Sequence, residues 1–299
     1  MKNIDLLNGQ YGIHDAVSFV DHHSGIPQIV IQTDQASAKI SLLGANLISW
    51  IPVGESEVIW LSDAASFAEG KSIRGGIPIC WPWFGAHEKR DDFPAHGFTR
   101  TSLWQLKSIE QLNSGEIKLD FKTEPQENTQ DMWPTAELRY QFVIGRTLEA
   151  ELTTMNTGNL PITISQALHT YFRVAEISKI KLYGLEQRKY LDKLDDFKKK
   201  KQTGPIEVNS EVDRIYLDTD DTCIIEDKEL KRQIIISKQG SLSTVVWNPW
   251  QYKAKEMGDL GEQGYRQMLC VESANAADDA VQINPGHSHK LAVNYQIKA

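Results

Sequence analysis

The chain has 299 residues, a formal net charge of -8 and 40% hydrophobic residues. This acidic, ordinary soluble composition argues against a nucleic-acid or membrane-surface partner, and no run approaches the roughly 18 apolar residues of a membrane span. Cys80, Cys223 and Cys270 are far apart, odd in number and without C-x-x-C spacing, which argues against a disulfide framework or a zinc site and for a reducing cytoplasm. Met1 to Asp15 holds no apolar run long enough for a signal peptide.

In chain order, the first strand candidates are Gln28–Gln32, Lys39–Leu43, Leu47–Ile51 and Val58–Leu61, followed by a short helical stretch at Asp63–Ala68. Period-two alternation is then clearest. Ile117, Leu119 and Phe121 alternate with Lys118, Asp120 and Lys122. Leu138, Tyr140, Phe142 and Ile144 repeat the pattern, as do Leu148, Ala150 and Leu152. Ile162–Leu168 is another strand, and Leu191–Lys199 a second helical stretch. The lysine run Lys198–Lys201 reads as a solvated loop in preference to an anion-binding patch. Cys223–Ile225, Gln233–Ser237, Leu242–Trp247 and Gln267–Val271 continue the strands, and Leu291, Val293, Tyr295 and Ile297 close them. Many short strands at close spacing predict an all-β fold, a large two-sheet sandwich with few short helices. With no repeat and no Pro/Ser-rich linker, residues 1–299 read as one domain.

Several chemistries are excluded. There is no P-loop and no G-x-S-x-G elbow, and Gly258, Gly261 and Gly264 have the wrong spacing for a dinucleotide fingerprint. His87–Glu88 lacks a second zinc-protease histidine, and His287 with His289 offers only two ligands. Neither a metal nor a cofactor is expected.

Four segments carry chemistry. In Ile73–Gly85, Arg74 sits among paired glycines and aromatics; arginine suits bidentate phosphate contact, and Trp81 and Trp83 offer faces to a sugar ring. The same segment fits equally a loop core in which Arg74 pairs with a carboxylate. In Pro94–Arg100, His96 and Arg100 could both enter a pocket, or the segment could be a plain turn. His169 interrupts the apolar stretch Gln166–Phe172. Such a histidine is more often a satisfied core residue than a catalyst, yet it is the side chain that exchanges protons near neutral pH. Glu272 ends the apolar strand Leu269–Val271, either capping it or facing a cleft.

Together these segments resemble the hexose-6-phosphate mutarotase branch of the aldose 1-epimerase superfamily, over essentially the whole chain. Ala45–Trp50, Val58–Ser62, Asp213–Tyr216, Val246–Trp250, Met257–Asp259 and Cys270–Glu272 follow in the same order. The resemblance implies a β-supersandwich that interconverts the α and β anomers of an aldohexose 6-phosphate. It implies His169 and Glu272 as the catalytic pair, Arg74 and Arg100 as phosphate ligands, and His96 and Asp213 as sugar contacts. Trp247 joins Trp81 and Trp83 as a candidate for stacking on the sugar. The expected partner is a small sugar phosphate, and the family leans toward monomers. The family often has a polar residue before His96; Ala95 stands there in this chain. Mutarotation needs Glu272 ionised as base and His169 protonated as acid. Competing readings are an epimerase of free aldoses, a non-catalytic carbohydrate-binding sandwich with Trp81, Trp83, Trp247 and Trp250 as its platform, and a glycoside hydrolase, which needs two carboxylates.

Overall fold

The computed structural model describes residues 3–124 and 132–298. Met1, Lys2, residues 125–131 and Ala299, all within the one-domain reading, lie outside the described residues. The strands begin with β1 (Val17–Asp21), β2 (Pro27–Gln32), β3 (Ala36–Ser41), β4 (Asn46–Pro52), β5 (Ile79–Cys80), β6 (Gln105–Gln111), β7 (Ile117–Thr123) and β8 (Ala136–Ile144). Next come β9 (Leu148–Asn156), β10 (Ile162–Ile164), β11 (Gln166–Leu168), β12 (Tyr171–Arg173), β13 (Lys181–Tyr183), β14 (Lys189–Asp192), β15 (Lys198–Lys201) and β16 (Val212–Tyr216). The last are β17 (Cys223–Asp227), β18 (Arg232–Gln239), β19 (Ser243–Asn248), β20 (Met268–Asn275), β21 (Val281–Ile283) and β22 (Ser288–Lys298). Helices α1 (Ile4–Tyr11) and α2 (Trp250–Met257) flank them.

Two eight-stranded antiparallel sheets dominate. The supporting sheet runs β13-β17-β18-β22-β9-β8-β7-β6. Its alternating sequence puts every second side chain inward: in β7, Ile117, Leu119 and Phe121 are buried and the residues between them half-buried. The other sheet runs β15-β14-β16-β19-β20-β11-β5, with β12 also pairing with β20. Inward residues of both sheets share one apolar cluster, Phe121, Phe142 and Tyr295 from the first meeting Val246, Leu269 and Val271 from the second. This is a two-sheet sandwich, as the alternation predicts. A four-stranded sheet (β1-β2-β3-β4) adds Ile29, Ile31 and Trp50 to the same core.

Strand β20 is buried along its whole length. Leu269 and Val271 face the main core, so Met268, Cys270, Glu272 and Ala274 must face the other way. There Ala274 joins a small cluster with Val245 and Ile215, and Cys270 joins another with Tyr171 and Met268. Glu272 is the acid between these two apolar patches.

Several local expectations fail. Asp63–Ala68 forms turn and irregular backbone, with no helix. Leu191–Lys199 is a hairpin: β14, a single tight turn at Lys193–Asp195, then β15. The Asp192 side chain caps that turn, and Asp196 and Phe197 take φ values of 47° and 56°, which stop a helix from continuing. Lys198–Lys201 is therefore the edge strand β15, where lysines discourage further strand pairing. Val58–Leu61 makes only isolated bridges, Ile59 with Phe172 and Leu61 with Gly75. Both α-helices escape notice because they bury so little: α1 has no buried residue and α2 only Ala254. No helix among the described residues is long and apolar enough to cross a membrane.

Candidate active site

Register brings the acid and the imidazole together. On one edge of β20, β11 pairs Leu168 with Ser273 and β12 pairs Tyr171 with Cys270. Extending the first register by one step, or the second by two, sets His169 opposite Glu272. The chain leaves the ladder there: His169 N–H donates to Pro78 O at 2.9 Å and Thr170 N–H to Leu168 O at 2.9 Å. His169 Nε2 lies 3.3 Å from Glu272 Oε1. Both residues are buried, and His169 Nδ1 and Glu272 Oε2 have no hydrogen-bond partner among the described residues. His169 is thus not the satisfied core histidine that its sequence setting allows.

The pair forms part of the wall of a cleft of about 220 Å³. Trp247 (β19) and Asp213 (β16) face each other in register and line it beside Glu272. The Trp247 ring meets His169 edge-on at 5.9 Å, while Tyr171 stacks on His169 at 4.9 Å. Arg74 enters from the loop ahead of β5. There Gly76 passes so close to Asn46 that an added Cβ would lie 2.2 Å from Oδ1. Arg74 Nε and Nη2 donate to the two Asp259 oxygens, each at 3.1 Å, and Nη1 donates to Tyr171 OH at 3.0 Å. Arg100 donates from Nη2 to Ala95 O at 2.9 Å, and its buried Nε has no partner among the described residues. His96 takes a φ of 66° and accepts a 3.4 Å bond at Nδ1 from Gly85 N–H, leaving its proton on Nε2.

Residues 27–296 match the family model described as aldose 1-epimerase. The chain belongs to the aldose 1-epimerase family. It is 40% identical over 252 residues to an Escherichia coli protein, across 84% of this chain and 83% of that one. It is 37% identical over 261 residues to a Salmonella typhimurium protein, across 86% of each. Both bear the name "Putative glucose-6-phosphate 1-epimerase". A Salmonella typhimurium crystal structure titled as a "putative mutarotase" superposes with a TM-score of 0.89 at 33% identity, over 96% of this chain and 95% of that one. Galactose 1-epimerase from Lactobacillus acidophilus shares the fold, with a TM-score of 0.72 at 15% identity, over 94% and 98% of the two chains.

In this aldose 1-epimerase the cleft is electrostatically tight. Burial, then Asp213, pushes the Glu272 carboxyl well above its ordinary range. Burial, then His96, Arg100 and Arg74, pushes His169 well below its own. In the ligand-free cleft burial thus works against an imidazolium facing a carboxylate and favours the neutral pair, with the shared proton toward Glu272. Both arrangements hold one proton in all, so they are tautomers of one pair. His96 is lowered to about 3 by burial, then by Arg100, Lys193 and Arg74, and stays neutral. Burial raises Asp213 while the Lys193 ammonium opposes the rise.

The cleft gathers His169, Glu272, Arg74, Arg100, His96, Asp213 and Trp247. It leaves out two tryptophans. Trp81 is fully buried against Phe98 and Trp133, with its indole N–H donated to Thr154 Oγ1 at 3.0 Å. Trp83 stacks on Phe93 and donates to Pro94 O at 2.9 Å. Trp250 packs on Tyr265, so the four tryptophans form no common platform. At Ala95 the backbone serves the site, its carbonyl holding Arg100.

Lys193, Phe84 and Val245 line the cleft without having been named as site residues from the sequence, and Met257 does so from the Met257–Asp259 motif. Tyr171 and Asp259 hold Arg74 from behind. Asp259 had a signal, the Met257–Asp259 motif; Lys193 had none beyond lying in a charged segment. A larger cavity of about 570 Å³ lies beside Trp60, Arg173 and Glu176, but its Glu176 is paired with Arg266 at 2.6 Å and no histidine lines it. Among the described residues no cluster of three or more His, Cys, Asp or Glu is placed to hold a metal.

Proposed function

We propose that this chain interconverts the α and β anomers of an aldohexose 6-phosphate, with glucose 6-phosphate, the sugar in its relatives' names, as substrate. The observation that carries this reading is the His169–Glu272 pair, 3.3 Å apart in a small cleft that also holds Arg74 and Arg100. Mutarotation takes a proton from O1–H, delivers one to the ring oxygen O5, rotates C1–C2 and closes the ring on the other face. A positioned base and acid each contribute roughly 10²- to 10⁴-fold.

A pair that shares one proton can do both. We assign Glu272 as base on O1–H and His169 as acid toward O5, with the roles reversed on closure. The proton must then move from Glu272 to His169 when substrate binds. Arg74 and Arg100 are among the groups that hold His169 neutral. A phosphate dianion on their guanidinium groups offsets that field, favouring imidazolium opposite carboxylate. The phosphate is thus both handle and trigger. His96 offers an N–H and Asp213 an anionic acceptor to ring hydroxyls, and Trp247 walls the ring. No cofactor takes part in this chemistry. Three free, buried cysteines fit work in a reducing cytoplasm, and we expect a monomer.

One observation favours a second reading, epimerisation of free aldoses: Arg74 is already matched by Asp259, so of the two cleft arginines it is Arg100 that keeps a buried N–H without a partner among the described residues. NMR of freshly dissolved α-glucose 6-phosphate, with and without protein, tests the first reading. Faster anomerisation than for α-glucose is expected; equal rates would favour the second, and no acceleration of either would remove both.

A further inference from the structure

One cation in the cleft is not used by the steps above. Lys193 stands in the turn after β14, and its Nζ lies 2.7 Å from Asp213 Oδ2. The turn is built to hold it. Asp192 accepts from Leu194 N–H at 3.2 Å, and Lys200 Nζ bridges Asp192 and Asp195 at 2.8 Å each. Asp213 projects from β16, the next strand of the sheet. It shares the cleft with Glu272, and two carboxylates in one small space oppose each other's ionisation. The charged and titratable groups around Asp213 are Lys193 from the turn, Asp192 from β14, Glu211 before β16, Lys253 from α2, and Cys270 and Glu272 from β20. Among the described residues, its ion pair is with Lys193.

We propose that Lys193 is a positioning residue for epimerisation: its ammonium holds the Asp213 carboxylate as an anion directed at the sugar's ring hydroxyls. This rests on the sugar-phosphate reading of the cleft. Without Lys193, Asp213 becomes an unpaired, largely buried carboxylate beside Glu272, and a group so placed takes up a proton. As a carboxylic acid it loses half of its acceptor character and most of its strength toward hydroxyl donors. The arginines are placed for other work, Arg74 held by Asp259 and Tyr171, and Arg100 fixed by the Ala95 carbonyl and assigned above to the phosphate. The effect therefore falls on the ring, whether or not the sugar carries phosphate.

The test compares wild type, Lys193→Met and Lys193→Arg. Readouts are kcat and KM on glucose 6-phosphate and on glucose over a range of pH, calorimetric binding of 1,5-anhydroglucitol 6-phosphate, and melting temperature. The expected result for Lys193→Met is a KM raised about ten-fold on both sugars, the scale of one charge-assisted hydrogen bond. The analogue should weaken equally, and the acid limb of kcat/KM should move to higher pH. Lys193→Arg should recover most of each. An unchanged KM, a loss confined to the phosphorylated sugar, or a lowered melting temperature with a stationary acid limb would overturn the proposal. A wild-type protein that accelerates neither sugar would strike the activity itself, and the analogue titration would still decide Lys193.

Discussion

Strands β20 and β22 are both long and central, yet they spend their residues differently. In β22 the alternation is plain: Leu291, Val293 and Tyr295 are buried, and the residues between them are partly exposed. In β20 every residue is buried, including Glu272, Ser273 and Asn275. The first strand is shaped by a core on one face and solvent on the other. The second is covered on both faces, and on the face away from the core the cover is an aromatic-lined cleft. A polar residue in the supporting sheet tells of solvent; a polar residue in β20 has to be explained by a partner.

Predictions follow the same division. The largest effect should come from the cleft. His169→Ala or Glu272→Gln should lower kcat on glucose 6-phosphate by at least about 100-fold while the far-ultraviolet spectrum and melting transition persist. A variant retaining more than about a tenth of wild-type turnover would remove its residue from the acid–base pair. Next comes the mirror case in the supporting sheet. Phe142→Ala, fully buried between Phe121 and Tyr140, should cost about 3–5 kcal/mol in denaturant unfolding and leave KM of the folded fraction unchanged. A KM change there would blur the distinction between the sheets.

Arg100→Ala should raise KM for glucose 6-phosphate roughly 10- to 100-fold, with little change for glucose. Equal losses would speak against a phosphate role. A smaller effect concerns pH. His96 is held at about 3 in the fold against 6.5 for a free imidazole, so the unfolded chain binds a proton that the folded chain refuses. The sign follows: the stability from a neutral His96 is complete above about pH 6.5 and is lost progressively as pH falls toward 3. The limiting slope is about 1.4 kcal/mol per pH unit. His96→Asn, which tolerates the left-handed backbone, should flatten that part of the unfolding curve; an identical slope would mean that His96 is accessible to protons.

Legibility in the sequence follows the same line. The supporting sheet could be read directly, because solvent on one face writes a period of two into β7, β8, β9 and β22. Short strands such as β13 to β16 could not, since three to five residues are too few to display a period. Within the cleft, His169 and Glu272 stood out from their apolar surroundings, but their pairing was suggested only through family resemblance. Nothing local to Gln166–Phe172 says that a strand on the far side of the chain will set Glu272 opposite. Asp259 and Arg74 are 185 residues apart, so whether Arg74 was paired stayed open until the fold joined them. Trp81 misled because a tryptophan beside glycine and proline looks the same whether its indole meets a sugar or Thr154.

The interruption of pairing at His169 and Thr170 has one more effect. Two short strands grip β20 above and below the gap, each in the same phase, so neither can slide without the other. A shift of one position would turn the imidazole toward the hydrocarbon interior. On the mechanism we propose, accuracy of proton transfer would thus be inherited from strand alignment instead of from a local hydrogen-bond network. Heat or denaturant should then erase turnover and this alignment in a single step, with no partly competent form between.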